Sequence, residues 1–282
     1  MNILVSGSSG FVGKNLCNHL IKKNNVVGIY NKNKNNSIID KIKLDLCKNL
    51  KTSYLKKIFI GQKIDIIIHL AGLLANKKNI KNFNLFQNNI KITKNLINIS
   101  EIIKPKKFIN FSSMAIYPNI NGIFDEKYKF LLNTNTDFLY GFSKYCSEIL
   151  FENYLNKSKK INLVHLRVSQ IYGKGMNQSR IIPIMKKELK SINSITVFGN
   201  GLRISNFIHI DRLKNYMDFI LSQNLKGVYN IGDENISYLN LAKKIIKDDG
   251  NKKSIIFKIN EGNRNKFILN TNKFNKIYKK YD

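Results

Sequence analysis

The chain has 282 residues, enough for one large domain or two small ones, and its hydrophobic fraction of 43% is ordinary for a globular protein. It carries 48 lysines and arginines against 18 aspartates and glutamates, a net charge of +30, but the lysines are spread along the whole length beside asparagines. This distribution does not favour nucleic-acid binding as the main function, and the absence of any apolar run of ~18 residues excludes a membrane span.

The first thirteen residues combine a short apolar run with three regularly spaced glycines. Residues 3–5 predict a strand buried on both faces, Gly7, Gly10 and Gly13 follow, and a helical pattern of apolar residues comes next. Strand, glycine turn and helix are the context of a dinucleotide-binding turn, where a pyrophosphate lies against the helix N-terminus. The spacing G-x-x-G-x-x-G, taken alone, also fits an ordinary turn before a helix.

Strands and helices alternate through the next part of the chain. Strands are predicted at 25–30, 44–46, 63–72, 107–113 and 162–168, and helices at 54–60, 83–103 and 140–155. This alternation predicts an α/β fold with a Rossmann-type, doubly wound parallel sheet, whose ligands bind at the carboxyl ends of the strands.

The alternation loosens after residue 169. We therefore predict a dinucleotide-binding domain at 1–169 and a smaller, mainly substrate-binding region at 170–282. Strands predicted at 207–210 and 227–231 are expected to return to the first sheet, so that segments near 206–231 belong to the first domain. A short helix is predicted at 274–278.

One tyrosine and one lysine have the spacing of a proton-transfer pair. Tyr140 and Lys144 are four residues apart on a predicted helix and therefore share a face. A cation beside a phenol lowers its pKa, so that the tyrosine can exchange a proton with an alcohol or carbonyl oxygen. A core tyrosine beside a surface lysine would give the same spacing. The glycine turn and the strand that ends at Ser113 favour the first interpretation.

In order along the chain, these segments resemble the extended short-chain dehydrogenase/reductases of the NAD-dependent epimerase/dehydratase family, which act on nucleotide sugars. The resemblance covers most of the chain. Besides the glycine turn, it rests on Asp45, the run 70–72, Asn89, Ser113, Tyr140, Lys144, Arg167 and the runs 171–173, 198–201, 207–211 and 229–232.

The resemblance implies a role for each site residue. Tyr140 would be the acid/base at the sugar oxygen, Lys144 would hold the nicotinamide ribose and lower the pKa of the tyrosine, and Ser113 would orient the same oxygen. The implied cofactor-binding residues are Tyr140, Lys144, Gly7, Ser9, Gly10, Phe11, Val12, Asn31, Lys32, Asp45, Leu46, Leu70, Ala71, Gly72 and Asn89. The implied substrate-binding residues are Ser113, Met114, Gln170 and Arg203.

The end of the second strand departs from the family pattern. Members that prefer NAD usually carry an acid there for the ribose 2′-hydroxyl, whereas this chain has Tyr30, Asn31 and Lys32. Lys32 or Lys34 could meet a 2′-phosphate, which slightly favours NADP over NAD. The same lysines also fit a solvated loop.

Two further departures concern the substrate side. The 4,6-dehydratases of the family carry an Asp-Glu pair where Met114 and Ala115 stand, and neither of these side chains can act as an acid or base, so dehydratase activity is disfavoured. Ser205 stands where the family often has an arginine for the nucleotide diphosphate. Arg203 would share a strand face with it and is expected to substitute. Gln170 replaces a frequent asparagine.

The sequence therefore predicts an NADP- or NAD-dependent enzyme that acts at C4 of a nucleotide-linked sugar, as a 4-epimerase or a 4-ketoreductase. Three cysteines outside any metal-ligand spacing indicate a cytoplasmic protein with reduced thiols and no metal. We expect no membrane or nucleic-acid partner, and a homodimer through the helices at 83–103 and 140–155. A catalytically silent NAD(P)-sensing protein and, less favoured, a basic nucleic-acid-binding protein are the alternatives.

Overall fold

The computed structural model describes residues 1–32, 40–76, 79–128, 137–156 and 161–280. The strands are β1 (Asn2–Ser6), β2 (Asn25–Tyr30), β3 (Asp40–Lys43), β4 (Ile66–His69), β5 (Lys107–Ser113), β6 (Gly122–Phe124), β7 (Asn162–Val168), β8 (Gln170–Tyr172), β9 (Ser194–Phe198), β10 (Ile204–His209), β11 (Gly227–Ile231), β12 (Glu234–Ser237), β13 (Ile255–Ile259) and β14 (Phe267–Leu269). The helices are α1 (Phe11–Leu20), α2 (Thr52–Phe59), α3 (Phe83–Ile103), α4 (Phe138–Leu155), α5 (Ile181–Ile192), α6 (Ile210–Ser222), α7 (Tyr238–Asp249) and α8 (Asn272–Tyr278). Short 3₁₀ turns lie at Met114–Ile116 and Gly199–Gly201.

Within these described ranges, seven parallel strands form the main sheet in the order β11-β7-β5-β4-β1-β2-β3. The strand order reverses between β1 and β4, and ligands of such sheets bind at this point, beyond the carboxyl ends of the strands. Ser6 at the end of β1 lies opposite His69 at the end of β4, so both strands finish at the same edge. The predicted α/β, Rossmann-type doubly wound sheet is confirmed.

Both faces of the main sheet are covered, as the apolar strands require. On one face Ile3 and Val5 of β1 pack in a core with α1 and α6, while Leu4 faces the core formed with α2, α3 and α4. The alternation along β1 therefore divides its side chains between two layers. Among the described residues, no helix combines the length and hydropathy needed to cross a membrane.

The predicted bounds hold for the strands β2, β5 and β7 and for helix α3. The strand predicted at 44–46 is wrong, because β3 pairs with β2 over Asp40–Lys43 and the next three residues follow it. Strand β3 lies at the edge of the sheet and carries two lysines, so its sequence lacks the apolar run that predicts a strand. The predicted strand at 63–72 is shorter, and the predicted helices at 54–60 and 140–155 begin two residues earlier.

The predicted return of the strand at 207–210 to the first sheet is also wrong. This strand, β10, pairs with β8 and β12 in a separate three-stranded sheet. Phe207 packs in a second core with α5 and α7, while Ile208 faces the core of the main sheet, so β10 lies between the two layers. The strand β11 does join the main sheet beside β7, and the predicted helix at 274–278 lies within α8. The division of the chain at 169/170 stays a prediction.

Candidate active site

A cleft of about 620 Å³ opens at the carboxyl ends of β1, β4, β5 and β7. Its far wall comes from α5, β10 and the start of α7. The predicted site residues that line it are Gly7, Gly10, Phe11, Val12, Leu70, Gly72, Ser113, Met114, Tyr140, Lys144, Gln170 and Arg203. The topology thus brings together residues from widely separated parts of the chain.

The glycine turn forms one end of the cleft. Side chains at Gly7 and Gly13 would not fit in this turn. Gly7 has a φ of +74°, and a Cβ on it would lie 2.8 Å from the backbone nitrogen of Ala71. A Cβ on Gly13 would lie 2.2 Å from the carbonyl oxygen of Gly7, so Gly13 lets α1 approach the turn. Helix α1 begins without a side-chain cap or an acidic residue in its first turn, which leaves its amides available to an anion.

Ser113, Tyr140 and Lys144 meet where β5 ends against α4. The Ser113 hydroxyl lies close enough to the Tyr140 phenol to lower its pKa, and Ser113 Oγ accepts a hydrogen bond from the Ala115 amide at 3.1 Å. Lys144 is buried, and its Nζ donates to the carbonyl oxygen of Phe111 at 2.9 Å. The strand and the helix therefore fix the three groups relative to one another.

Gly141, which the sequence analysis did not single out, explains this close approach. A Cβ at this position would lie 2.1 Å from the carbonyl oxygen of Ala115, in the turn that directly follows Ser113. The missing side chain lets α4 rest on that turn. In the sequence, Gly141 could have been noticed because it directly follows Tyr140.

Burial shifts the pKa values of Tyr140 and Lys144. It raises the pKa of Tyr140 to about 12, against the Ser113 hydrogen bond and the positive charge of Arg180, which lower it. It lowers the pKa of Lys144 to about 8, although the Glu148 carboxylate favours the charged form. The expected lowering of the Tyr140 pKa by Lys144 is therefore not found in this structure, because desolvation of the phenolate outweighs the nearby positive charges.

Asn89, a predicted cofactor-binding residue, supports the site from behind. It is buried, its Oδ1 accepts the Leu73 amide at 2.8 Å, and its Nδ2 donates to Ser143 Oγ at 2.9 Å. These bonds tie the segment after β4 to the helix that carries Tyr140.

The remaining predicted cofactor residues, Ser9, Asn31, Lys32, Asp45, Leu46 and Ala71, do not line this cleft either. Asn31 and Lys32 are exposed after β2, and the Asp45 carboxylate accepts the Cys47 amide at 3.0 Å. Their role in cofactor binding stays a prediction. Lys34 lies outside the described residues.

The far wall of the cleft carries two arginines. Arg203 lies over the ring of Tyr238 at 5.4 Å, and its Nε is buried without a hydrogen-bond partner among the described residues. Arg180, missed by the sequence analysis, precedes α5 and lines the same wall. A signal existed, because the chain has only five arginines. Gln170 Nε2 donates to Ser205 Oγ at 2.9 Å beside them.

Arg167, a landmark of the resemblance, is structural. It forms a buried ion pair of 2.8 Å with Glu148 of α4, and its Nη1 donates to the Tyr117 hydroxyl at 2.9 Å. The Tyr117 hydroxyl in turn donates to Asn230 of β11 at 2.8 Å. This network fixes α4 against β7 and β11. The described residues include no group of His, Cys, Asp and Glu side chains that could hold a metal ion.

Comparisons with known proteins relate the chain to one family and to several solved structures. The model of the NAD dependent epimerase/dehydratase family matches residues 3–232. A dTDP-D-glucose 4,6-dehydratase of Dictyostelium discoideum is 33% identical over 277 residues, which cover 86% of this chain and 61% of that protein. The chain therefore spans less than two thirds of that relative.

Solved structures share the whole architecture. The UDP-glucuronic acid 4-epimerase from Bacillus cereus in complex with NAD superposes with a TM-score of 0.80 at 26% identity, covering 99% of this chain and 90% of that chain. The UDP-N-acetylglucosamine 4-epimerase from Methanobrevibacter ruminantium M1 superposes with a TM-score of 0.81 at 22% identity, covering 98% and 91%. The second likeness shows a common fold.

Proposed function

Because the chain belongs to the NAD dependent epimerase/dehydratase family, as its sequence predicted, we propose that it is a 4-epimerase of a nucleotide-linked sugar. The observation that carries the proposal is the placement of Ser113, Tyr140 and Lys144 in the middle of one cleft, between the glycine turn and the wall that holds Arg180 and Arg203. A dinucleotide on one side and a nucleotide diphosphate on the other would bring the sugar to Tyr140.

The residues present fit a dinucleotide. Gly7 and Gly13 let the turn pack closely against the backbone around it, a Cβ on Gly10 would meet only the Gly7 carbonyl oxygen at 3.4 Å, and the uncapped start of α1 lines the cleft. The hydroxyls of Ser112 and Ser169 are buried at the cleft without a hydrogen-bond partner among the described residues. Such orphaned groups indicate that a polar ligand completes the site.

When bound, NAD supplies a hydride acceptor and donor at the sugar C4. Tyr140 takes the proton of the C4 hydroxyl as the sugar is oxidised and returns it as the ketone is reduced on its other face. Ser113 lowers the pKa of the phenol, and Lys144, held at the end of β5, would supply a positive charge to the nicotinamide ribose. Arg180 and Arg203 hold the diphosphate of the nucleotide sugar, which fixes C4 near Tyr140.

The lining of the cleft disfavours a dehydratase. Elimination of water needs an acid and a base next to the catalytic hydroxyl, and Met114 and Ala115 line the cleft there instead. The relative from Dictyostelium discoideum is a dehydratase, so this difference separates the proposed reaction from that of the relative.

A 4-ketoreductase is the second candidate, favoured by one observation. Asn31 and Lys32 are exposed after β2, where no carboxylate stands to bind a ribose 2′-hydroxyl. A preference for NADPH, the reductant exchanged at each turnover, would follow. The neighbour from Bacillus cereus holds NAD, which supports the epimerase.

We further propose a cytoplasmic homodimer. The cysteines Cys17, Cys47 and Cys146 are free thiols, as in a reducing compartment. The rings of Phe83, Phe86, Phe142 and Phe138 stack in sequence across α3 and α4, and Phe83 is 56% exposed. The other three rings are partly buried, and an aromatic ladder that ends in an exposed ring on two neighbouring helices fits a second copy of the same surface.

The proposal is tested first on the purified protein. The protein is denatured, the released dinucleotide is identified and counted, and the native protein is incubated with UDP-glucose while the products are resolved by chromatography. We expect bound NAD and conversion to the C4 epimer. Tyr140→Phe should lower kcat by about 10²–10⁴-fold without changing the melting temperature.

Other outcomes decide between the alternatives. An empty site that binds NADPH better than NADH, with reduction of a 4-keto sugar, supports the ketoreductase. Tight NAD binding without turnover of any nucleotide sugar supports the silent sensor. Binding of duplex DNA that survives physiological salt, without NAD(P) binding, would support the nucleic-acid alternative and overturn the catalytic proposal.

A further inference from the structure

Asp137 is the only carboxylate among the described residues that line the cleft. It directly precedes α4, three residues before Tyr140, and so lies one helical turn from the acid/base. Its negative charge is one of the causes that raise the pKa of Tyr140, which places it within electrostatic reach of the reacting oxygen.

The side chain of Asp137 does not cap α4. An aspartate at this position usually caps the helix, but the Asp137 carboxylate interacts with its own backbone amide, accepts no capping bond from the described amides of α4, and forms no ion pair with another described residue. Burial raises its pKa, while the positive charges of Arg180 and Arg203 favour the ionised form. A partly desolvated carboxylate that lines a cleft interacts strongly with the polar and charged groups of a ligand bound there.

The charges in the cleft indicate which ligand suits this carboxylate. A nucleotide diphosphate brings two negative charges, which Arg180 and Arg203 can neutralise. The Asp137 carboxyl group lines the same cleft, where it can accept a hydrogen bond from a hydroxyl group of the sugar. A sugar that carries its own carboxylate would place two like charges in a poorly solvated space, and such pairs are strongly disfavoured.

We propose that Asp137 is a specificity-determining residue that selects a nucleotide-linked neutral hexose over the corresponding uronic acid. The inference rests on the proposed function, since it concerns the sugar at the same site. It also separates this chain from the similar UDP-glucuronic acid 4-epimerase of Bacillus cereus, whose substrate is a uronic acid.

UDP-glucose and UDP-glucuronic acid form a matched pair for the test, because they differ only in a CH₂OH or a carboxylate at C6. We measure kcat/KM and Kd of the NAD-loaded protein for both. The wild-type protein should favour UDP-glucose at least ~10-fold, as expected for a like-charge pair. Asp137→Asn keeps the shape but removes the charge, and should reduce that ratio at least ~10-fold.

Two variants control the result. Asp137→Glu retains the charge and should keep the preference for UDP-glucose. Asp40→Asn removes the same charge from an exposed residue outside the cleft and should leave the ratio unchanged. For each variant we compare the ratio of its kcat/KM values for the two substrates. A loss of active protein lowers both values equally and leaves this ratio unchanged.

A wild-type preference for UDP-glucuronic acid, or an equal ratio in the wild type and Asp137→Asn, would overturn the inference while leaving the epimerase intact. A wild-type preference for UDP-glucuronic acid overturns the inference even if Asp137→Asn does not fold, and an Asp137→Glu variant that loses the preference for UDP-glucose would also count against it. If the wild type binds and converts neither sugar nucleotide, the proposed function fails, and the inference falls with it.

Discussion

Lys144 destabilises the folded protein, because its charged side chain is buried. Its side chain is buried, and its pKa falls from 10.5 to about 8 because the charged form loses its hydration. A difference of this size corresponds to about 3 kcal/mol of disfavoured charge. Its ammonium group donates to the carbonyl oxygen of Phe111 near the end of β5 and lines the cleft. Site residues of this kind commonly reduce stability.

We therefore expect Lys144→Met to raise the free energy of unfolding at pH 7 by up to about 3 kcal/mol while abolishing turnover. Between pH 8 and 10.5 the unfolded wild-type chain holds more protons at this position than the folded chain, so its stability should rise with pH across that window. Below pH 8 the full cost is present. The methionine variant should not show this rise.

Urea unfolding monitored by circular dichroism measures both effects. Lys106→Met is the control, since the Lys106 side chain is 85% exposed and its loss should change stability by less than ~1 kcal/mol. A Lys144→Met protein that is clearly less stable than the wild type at pH 7 would contradict the argument.

At the scale of secondary-structure elements, the contact between α4 and the turn after β5 sets the distance between Tyr140 and Ser113. Gly141 allows this contact, because its absent Cβ would meet the Ala115 carbonyl at 2.1 Å. We expect Gly141→Ala to push the helix away, to weaken the bond between Tyr140 and Ser113 and to lower kcat at least ~10-fold, with a loss of ~1–3 kcal/mol in stability.

Turnover and urea midpoints measure these two effects separately. Asn153→Ala, on the exposed side of the same helix, is the control and should match the wild type in kcat. Wild-type turnover in Gly141→Ala would show that the helix position does not matter.

Elements with a strong local pattern could be predicted from the sequence. The bounds of β5 and α3 follow from unbroken apolar runs and from helical spacing that ends before Pro105. The order of the family landmarks placed Ser113, Tyr140 and Lys144 correctly in one cleft. Their cofactor and catalytic roles stay predictions.

The parts that were missed depend on tertiary contacts. The pairing of β10 with β8 and β12 leaves no trace in its own apolar pattern, which fits either sheet. Arg180 reaches the cleft only through the packing of α5, and no spacing connects it to Tyr140. The pKa of Tyr140 was misjudged because the sequence shows its charged neighbours but not its burial.

At the scale of the whole molecule, charge opposes the proposed dimer. Two copies with a net charge of +30 each repel one another, so the aromatic surface must overcome this repulsion. We expect the wild type to form a dimer that tightens when salt is raised from ~0.05 to ~0.3 M, because salt screens the repulsion.

Light scattering coupled to gel filtration measures the mass. Phe83→Glu and Ile149→Glu introduce charge on the exposed side chains of α3 and α4 and should shift the protein to the monomer. Ile60→Glu changes a residue that is 70% exposed elsewhere and should leave the dimer intact. A monomeric wild type at all salt concentrations would remove the dimer proposal.

The parallel pairing of β14 with β6 determines when the fold can be completed during synthesis on the ribosome. Strand β6 follows the turn after Ser113, but its partner Phe267–Leu269 is translated near the end of the described chain. The last strand of the main sheet, β11, also emerges long after Tyr140. The segment 107–168 therefore leaves the ribosome well before two of its sheet partners, and its strands are fully paired only after β11 and β14 have been translated.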